Sequence, residues 1–75
     1  MLGMCTFVVG DGTGGTEDYI GNTTTEDECA QLVQREKPSA NGATWGSEYC
    51  YAEFGATSNN GNSAWRTCLF EGQLP

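Results

Sequence analysis

A single short run, EYCYAEFGA at positions 48–56, packs two tyrosines, a phenylalanine, a cysteine and two carboxylates together. Glu48 and Glu53 are its candidates for chemistry, since a pair of carboxylates can hydrolyse a glycosidic bond by acid–base catalysis. An odd spacing along one strand would point the two side chains to opposite faces, where they cannot act on the same bond. The run therefore does not predict a carboxylate-pair hydrolase.

The sequence lacks other catalytic patterns as well. It contains no histidine, the usual base at neutral pH, and no serine lies in a nucleophile-elbow pattern. The glycine-rich GDGTGG does not lead into a helix with a phosphate-binding lysine. A chain of 75 residues also has little room for a deep pocket. We therefore expect no enzymatic activity, no catalytic residue and no cofactor.

The same run has the composition of a binding surface. If Cys50 points into the core, the strand period turns Ala52 and Phe54 inward too. The outward side chains would then be Tyr49, Tyr51 and Glu53. Tyrosine supplies rigid apolar area and a hydroxyl, so this face suits a sugar or a protein loop. The candidate ligand-binding residues at its rim are Trp45, Trp65, Asn59 and Asn60. Packing alone also explains aromatic residues in strands, and a small core could use both tryptophans.

The cysteines indicate how so small a domain is stabilised. Only 37% of the residues are hydrophobic and 11 are glycine, so the core alone leaves a thin margin over chain entropy. The even number and wide spacing of the cysteines, Cys5, Cys29, Cys50 and Cys68, predict two disulfides and a secreted, extracellular protein. A zinc site is disfavoured, because the chain has no histidine and no close cysteine pair.

The net charge of −7, from 10 acidic and three basic residues, restricts the partners. Nucleic acid binding needs clustered positive charge, so nucleic acid is an unsuitable partner. An anionic membrane surface is disfavoured for the same reason, and no apolar run has the length of a membrane span. The expected partner is an extracellular glycan or protein.

The clearest local element is a helix in TEDECAQLVQREKP. Thr25 and Glu28 have the spacing of a capping box, and Pro38 stops the helix. Acidic residues lie at its start and basic residues at its end, which suits the helix dipole. Cys29 falls on the apolar stripe that should face a sheet.

Short strands are predicted around this helix, at CTFVV (5–9), ATW (43–45), EYCYAEF (48–54) and AWRTCLF (64–70). GDGTGGT (10–16) and GATSNNGNS (55–63) are predicted loops. The element order indicates a single α+β domain over residues 1–75, with one helix packed on a small antiparallel sheet. Four cysteines allow three pairings. The geometry favours Cys5–Cys68, which joins the first and last strands, with Cys29–Cys50 between helix and sheet.

Two weaker patterns lie in the first third of the chain. Asp11, Glu17 and Asp18 lie in or just after the glycine-rich loop and could offer oxygen ligands to calcium, although their spacing matches no standard calcium loop and a solvated loop is the better interpretation. Asn22 begins the sequence NTT, which fits the N-glycosylation pattern. Such short patterns are common by chance.

The cysteine plan resembles that of the PAN/apple superfamily of extracellular modules. The resemblance rests on a helix cysteine in TEDECAQLV, a strand cysteine in EYCYAEF and a last strand ending in WRTCLF. It implies one helix cradled by a curved antiparallel sheet, and adhesion through protein or carbohydrate binding without catalysis. This chain has only four cysteines and lacks the second helix cysteine that many PAN domains carry.

Two functions follow from these patterns. The first is a non-catalytic binding module that uses the aromatic strand face. The alternative is a structural subunit that assembles with copies of itself into an extracellular filament or matrix, through the same face or an exposed sheet edge.

Overall fold

The computed structural model describes residues 5–70. Its elements in chain order are β1 (Val8–Val9), β2 (Gly12–Thr13), β3 (Thr16–Asn22), α1 (Glu26–Glu36), β4 (Gly42–Gly46), β5 (Tyr49–Phe54), β6 (Ser58–Asn59) and β7 (Arg66–Leu69). Five strands form one sheet in the order β1-β7-β4-β5-β3, and every neighbouring pair is antiparallel. β2 and β6 form a separate two-stranded ribbon. The predicted α+β fold is confirmed.

The helix begins and ends close to its predicted bounds. The amide of Glu28 donates to the Thr25 hydroxyl at 3.2 Å, and the amide of Thr25 donates to the Glu28 carboxylate at 3.2 Å. This reciprocal pair satisfies donors that the first helical turn would otherwise leave unpaired. The helix ends at Glu36, two residues before Pro38.

Removing the helix cap should weaken the domain. Replacement of Thr25 by alanine deletes the acceptor for the Glu28 amide, and we expect it to lower the free energy of unfolding by about 1 kcal/mol. Thr24→Ala serves as the control, because the neighbouring Thr24 is exposed and takes part through its backbone amide. Urea unfolding of both oxidised variants measures the difference, and equal stabilities would show that the cap contributes little.

Both disulfides predicted from the sequence are present. Cys5 is bonded to Cys68 and Cys29 to Cys50, with a Cα–Cα distance of 5.4 Å in each case. The second bridge joins the buried face of α1 to β5 and lies wholly inside the core. Small side chains on the sheet, Ala43 and Ala52, are fully buried beneath the helix layer and let the helix approach the sheet closely.

The strand register divides the sheet into two faces. The helix face carries Cys50 and Ala52, with Trp45 directly opposite Cys50. The tyrosine face, as we call the other side, carries Tyr49, Tyr51 and their cross-strand neighbours. The β2–β6 ribbon covers one end of the tyrosine face. A Cβ atom on Gly12 would lie 2.7 Å from the carboxyl carbon of Glu53, so a larger residue there would push the Glu53 carboxyl group from its place.

Strand β3 was not predicted from the sequence, where its first residue belonged to a predicted loop. It is nonetheless the longest strand of the sheet and occupies one edge, and within residues 5–70 it pairs with β5 alone. An irregularity between Tyr19 and Gly21 inserts Ile20 into the strand as an extra residue. The bulge reverses the usual alternation, so Tyr19 pairs with Tyr51 while Asn22 pairs with Tyr49 on the same face.

Candidate functional site

Four aromatic rings form a continuous cluster on the tyrosine face. The Tyr19 ring centroid lies 6.0 Å from that of Tyr49 and 5.5 Å from that of Tyr51, and Tyr51 lies 5.5 Å from Trp65. The steep angles between the ring planes are those that aromatic pairs prefer. Tyr19 is 53% exposed and Tyr49 48% exposed, while Tyr51 and Trp65 are half-buried between them and the sheet. The cluster thus offers a large aromatic surface to solvent.

Three of these rings, Tyr49, Tyr51 and Trp65, were candidates from the sequence, whereas Tyr19 was missed. Tyr19 belongs to TEDYIGN, where polar residues and a glycine hide the strand signal. Only the pairing of β3 with β5 places it opposite Tyr51. The sequence pattern that could have indicated this strand is alternation, because residues two apart on a strand share a face. Alternation puts Glu17 and Tyr19 on one face and Asp18 on the other.

Two of the predicted ligand-binding residues, Glu53 and Trp45, lie outside the exposed aromatic cluster. Glu53 was predicted on an open face, but it is only 2% exposed because the β2–β6 ribbon covers it. Trp45 was predicted at the rim, but it lies on the helix face, where it packs against the core and its indole nitrogen donates to the Thr23 carbonyl at 3.2 Å. The indole thus bridges β4 to the chain before α1.

The two asparagines predicted at the rim are engaged within the ribbon and its loop. Asn59 pairs with Gly12 across the ribbon. The side-chain oxygen of Asn60 accepts the amides of Asp11 at 3.1 Å and Asn62 at 2.8 Å. Asn60 therefore shapes the turn, as asparagine commonly does through bonds to nearby backbone.

Glu48 lies outside the strand on which the sequence placed it. Ser47 and Glu48 form the two-residue connection between β4 and β5, and both have a positive φ, of 47° and 73°. Positive φ at both central residues is the geometry of the turn that best suits antiparallel strands. Glu48 is exposed in this turn and Glu53 is buried at the far end of β5, so the two carboxylates are not arranged as an acid–base pair.

A group of three carboxylates borders the aromatic cluster. Glu17 lies directly opposite Glu53 across the β3–β5 pair, and Asp11 from the ribbon joins them, with oxygens of all three within 4.8 Å of one another. Partial burial, a hydrogen bond with Glu53 and repulsion from Glu53 and Asp11 raise the pKa of Glu17 to about 7. Glu17 therefore takes up a proton near neutral pH.

This group differs from the calcium candidate of the sequence. Asp11 and Glu17 do come together, but Asp18 pairs with Ala52 on the helix face and points away from them. One oxygen of Glu53 is already bonded to the Thr44 hydroxyl. Calcium takes six to eight oxygen ligands, which these three side chains do not complete, so we assign no cation to them.

A buried row of oxygen atoms continues inward from Glu53. Thr44 Oγ1 lies 2.6 Å from Glu53 Oε2 and 2.8 Å from Thr67 Oγ1, and Thr67 Oγ1 lies 2.6 Å from the Gly10 carbonyl. Thr44 thus donates to the buried Glu53 carboxylate, and Thr67 donates to the Gly10 carbonyl.

Asn22, the predicted glycosylation site, lies at the rim of the tyrosine face. The bulge in β3 brings it onto this face, and the Tyr19 hydroxyl donates to its side-chain oxygen. The residue is exposed, which is compatible with modification, and glycosylation itself stays a prediction.

Comparisons with protein-family models, with curated proteins and with solved structures found no match. The PAN/apple resemblance therefore stays a prediction, beside the fold and disulfides that the structure establishes. Within residues 5–70, no helix has the length and apolar character needed to cross a membrane. The two disulfides are compatible with an extracellular protein.

Proposed function

We propose that this protein is a non-catalytic extracellular binding module whose recognition surface is the aromatic cluster of Tyr19, Tyr49, Tyr51 and Trp65. The observation that carries the proposal is the exposure of two tyrosines in edge-to-face contact, Tyr19 and Tyr49, on a domain with so few large apolar residues. Exposed aromatic groups of this kind mark interaction sites, because leaving them in water is costly. Tyrosine and tryptophan also dominate binding energy at interfaces.

The rigidity of the surface supports this function. Tyr19, Tyr49 and Tyr51 stand on paired strands, and the neighbouring Cys50 anchors β5 to the helix through its disulfide. A ligand would therefore meet rings that are already in place, which lowers the entropy lost on binding. Two disulfides and the resemblance to PAN/apple modules favour an extracellular glycan or protein as the ligand.

Alanine substitutions on the tyrosine face test the proposal. The oxidised protein is first screened against a glycan array and a panel of extracellular proteins, and the affinity for any hit is then measured for Tyr19→Ala and Tyr49→Ala. We expect each change to weaken binding about fivefold, since each removes one exposed ring from the surface.

Val9→Ala is the matched control, because Val9 is equally exposed and lies on β1 at the far edge of the sheet. It should bind like the wild type. A ligand whose affinity falls for Val9→Ala but not for either tyrosine variant would place the binding surface elsewhere.

A structural role in a filament or matrix is the second candidate, and β3 favours it. The outer edge of this seven-residue strand pairs with no strand in the described part of the chain. An exposed strand edge is a ready template for a strand of a second copy. Light scattering and negative-stain microscopy over a concentration series distinguish the two functions, because a binding module stays monomeric and a structural subunit forms regular particles.

A further inference from the structure

The two arginines of residues 5–70 lie away from the tyrosine face. Arg66 points to the helix face, where its Nε donates to Glu26 Oε1 of α1 at 2.7 Å. Arg35 pairs with Glu36 on the helix at 3.4 Å, and Lys37 caps the helix end. In a chain of net charge −7, both arginines are thus paired with carboxylates of the helix, while Lys37 lines a surface pocket with Asp18 and Tyr19.

The tyrosine face, in contrast, carries negative charge beside its rings. Glu17 stands two residues from Tyr19 on the same face of β3, and Glu53 stands two residues from Tyr51 on β5. Asp11 adds a third carboxylate, and one of its oxygens is buried without a hydrogen-bond partner. The aromatic cluster and the exposed Glu17 therefore form one surface, with the buried Glu53 and the half-buried Asp11 adding negative charge beneath its edge.

We propose that the occupant of this surface is a lysine- or arginine-bearing segment of a partner protein, seated with a cationic side chain over Tyr19 and Tyr51 and its charge toward Glu17. The proposal rests on the proposed function and names its partner. A cation is attracted by the face of an aromatic ring. It also relieves the mutual repulsion of the three carboxylates, which a neutral ligand cannot do.

Complementary charge should make the interaction sensitive to salt and to pH. Raising the ionic strength should weaken it, because screening reduces steering and attraction between exposed charges. Lowering the pH below 7 should weaken it as well, since the raised pKa of Glu17, to about 7, means that this carboxylate is lost first. A neutral oligosaccharide on the same rings would show neither dependence.

The test is to titrate the oxidised protein with three probes. Nuclear magnetic resonance spectra monitor the ring resonances of the four aromatic residues during each titration. The probes are a synthetic peptide of alternating lysine and serine, its counterpart with glutamate for lysine, and a neutral chitin oligosaccharide. We expect the basic peptide to shift the Tyr19 and Tyr51 resonances, and the acidic peptide to shift neither.

Two neighbouring residues on opposite faces of β3 provide a charge-matched comparison. Glu17→Gln removes one negative charge beside the rings, while Asp18→Asn removes the same charge from the helix face. We expect Glu17→Gln to weaken basic-peptide binding about fivefold, and Asp18→Asn to change it less than twofold. If both variants weakened basic-peptide binding equally, the peptide would be attracted by the net charge of the protein alone. That result would overturn the proposal.

The remaining outcomes separate this inference from the proposed function. If the neutral oligosaccharide shifts the ring resonances and the basic peptide does not, the surface binds ligands but the cationic partner is wrong. If none of the probes shifts them and concentration alone does, a second copy occupies the surface and the inference fails. Tyr19→Phe, which keeps the ring, should retain peptide binding that Tyr19→Ala loses.

Discussion

Replacing Cys29 and Cys50 together by alanine should leave the domain largely unfolded at 37 °C. Their bridge closes a loop with a sequence separation of 21 residues, and the chain-entropy model gives such a loop a stabilisation of about 3 kcal/mol. A single small core supplies only about 3–5 kcal/mol in total. The loss therefore approaches the whole margin, and a denaturant titration followed by circular dichroism measures it.

The Cys5→Ala, Cys68→Ala variant is the comparison for this result. That bridge spans 63 residues, so the same model gives it about 4 kcal/mol. Both variants should lose their cooperative transition or show it at much lower denaturant. The variant without Cys29 and Cys50 could instead keep a free energy of unfolding within about 1 kcal/mol of the wild type. That result would mean that apolar burial, and not the cross-link, holds the helix on the sheet.

Replacing Glu53 by glutamine should stabilise the domain at pH 8 by about 1–2 kcal/mol. The side-chain oxygen of glutamine can still accept the hydrogen bond from the Thr44 hydroxyl, so the buried contact is kept. The substitution also removes the charge that repels Glu17 and Asp11. Glu48→Gln is the matched control, since it removes one charge from an exposed turn, and it should change stability by less than about 0.5 kcal/mol.

The cluster of Glu17, Glu53 and Asp11 should make the stability of the wild type fall as the pH rises. The pKa of Glu17 is raised in the folded protein from 4.5 to about 7, so the folded state binds a proton more tightly than the unfolded state does. The resulting stability is present in full below about pH 4.5 and is lost as the pH rises through about 7.

The free energy of unfolding should fall by roughly 1 kcal/mol over this pH range. The effect is small because Glu17 is largely exposed and its interactions are screened by solvent. Urea unfolding of wild type and Glu53→Gln at several pH values measures it, and the variant should show a flatter profile between pH 5 and 8. A wild-type stability that instead increases over this interval would contradict the raised pKa of Glu17.

The proposed partner and the pH dependence have the same physical origin. The fold holds three carboxylates together, and their mutual repulsion lowers the stability of the domain. Natural proteins accept such a local loss of stability mainly at functional sites. A bound cationic side chain would offset that repulsion. Basic-peptide binding should therefore stabilise the wild type more at pH 8 than at pH 5, in line with the linkage between ligand and folding.

The sequence by itself determined the features that depend on local chemistry. Thr25, Glu28 and Pro38 mark the helix, because capping and termination involve residues only a few positions apart. The apolar stripe that contains Cys29 indicated which side of the helix is buried, and this was enough to favour the correct disulfide pairing. Tyr49 and Tyr51 were placed on one face by the period of a single strand.

Only the tertiary structure decided what depends on distant segments. Strand β3 has few strand-forming residues and exists because it pairs with β5, so Tyr19 could not be assigned to the site in advance. Glu53 is buried because Gly12 lets the ribbon cover it, and Trp45 faces the helix because of the register of β4 against β5. Alternation along one strand says which residues share a face, but what covers that face is set by chain that lies far away in sequence.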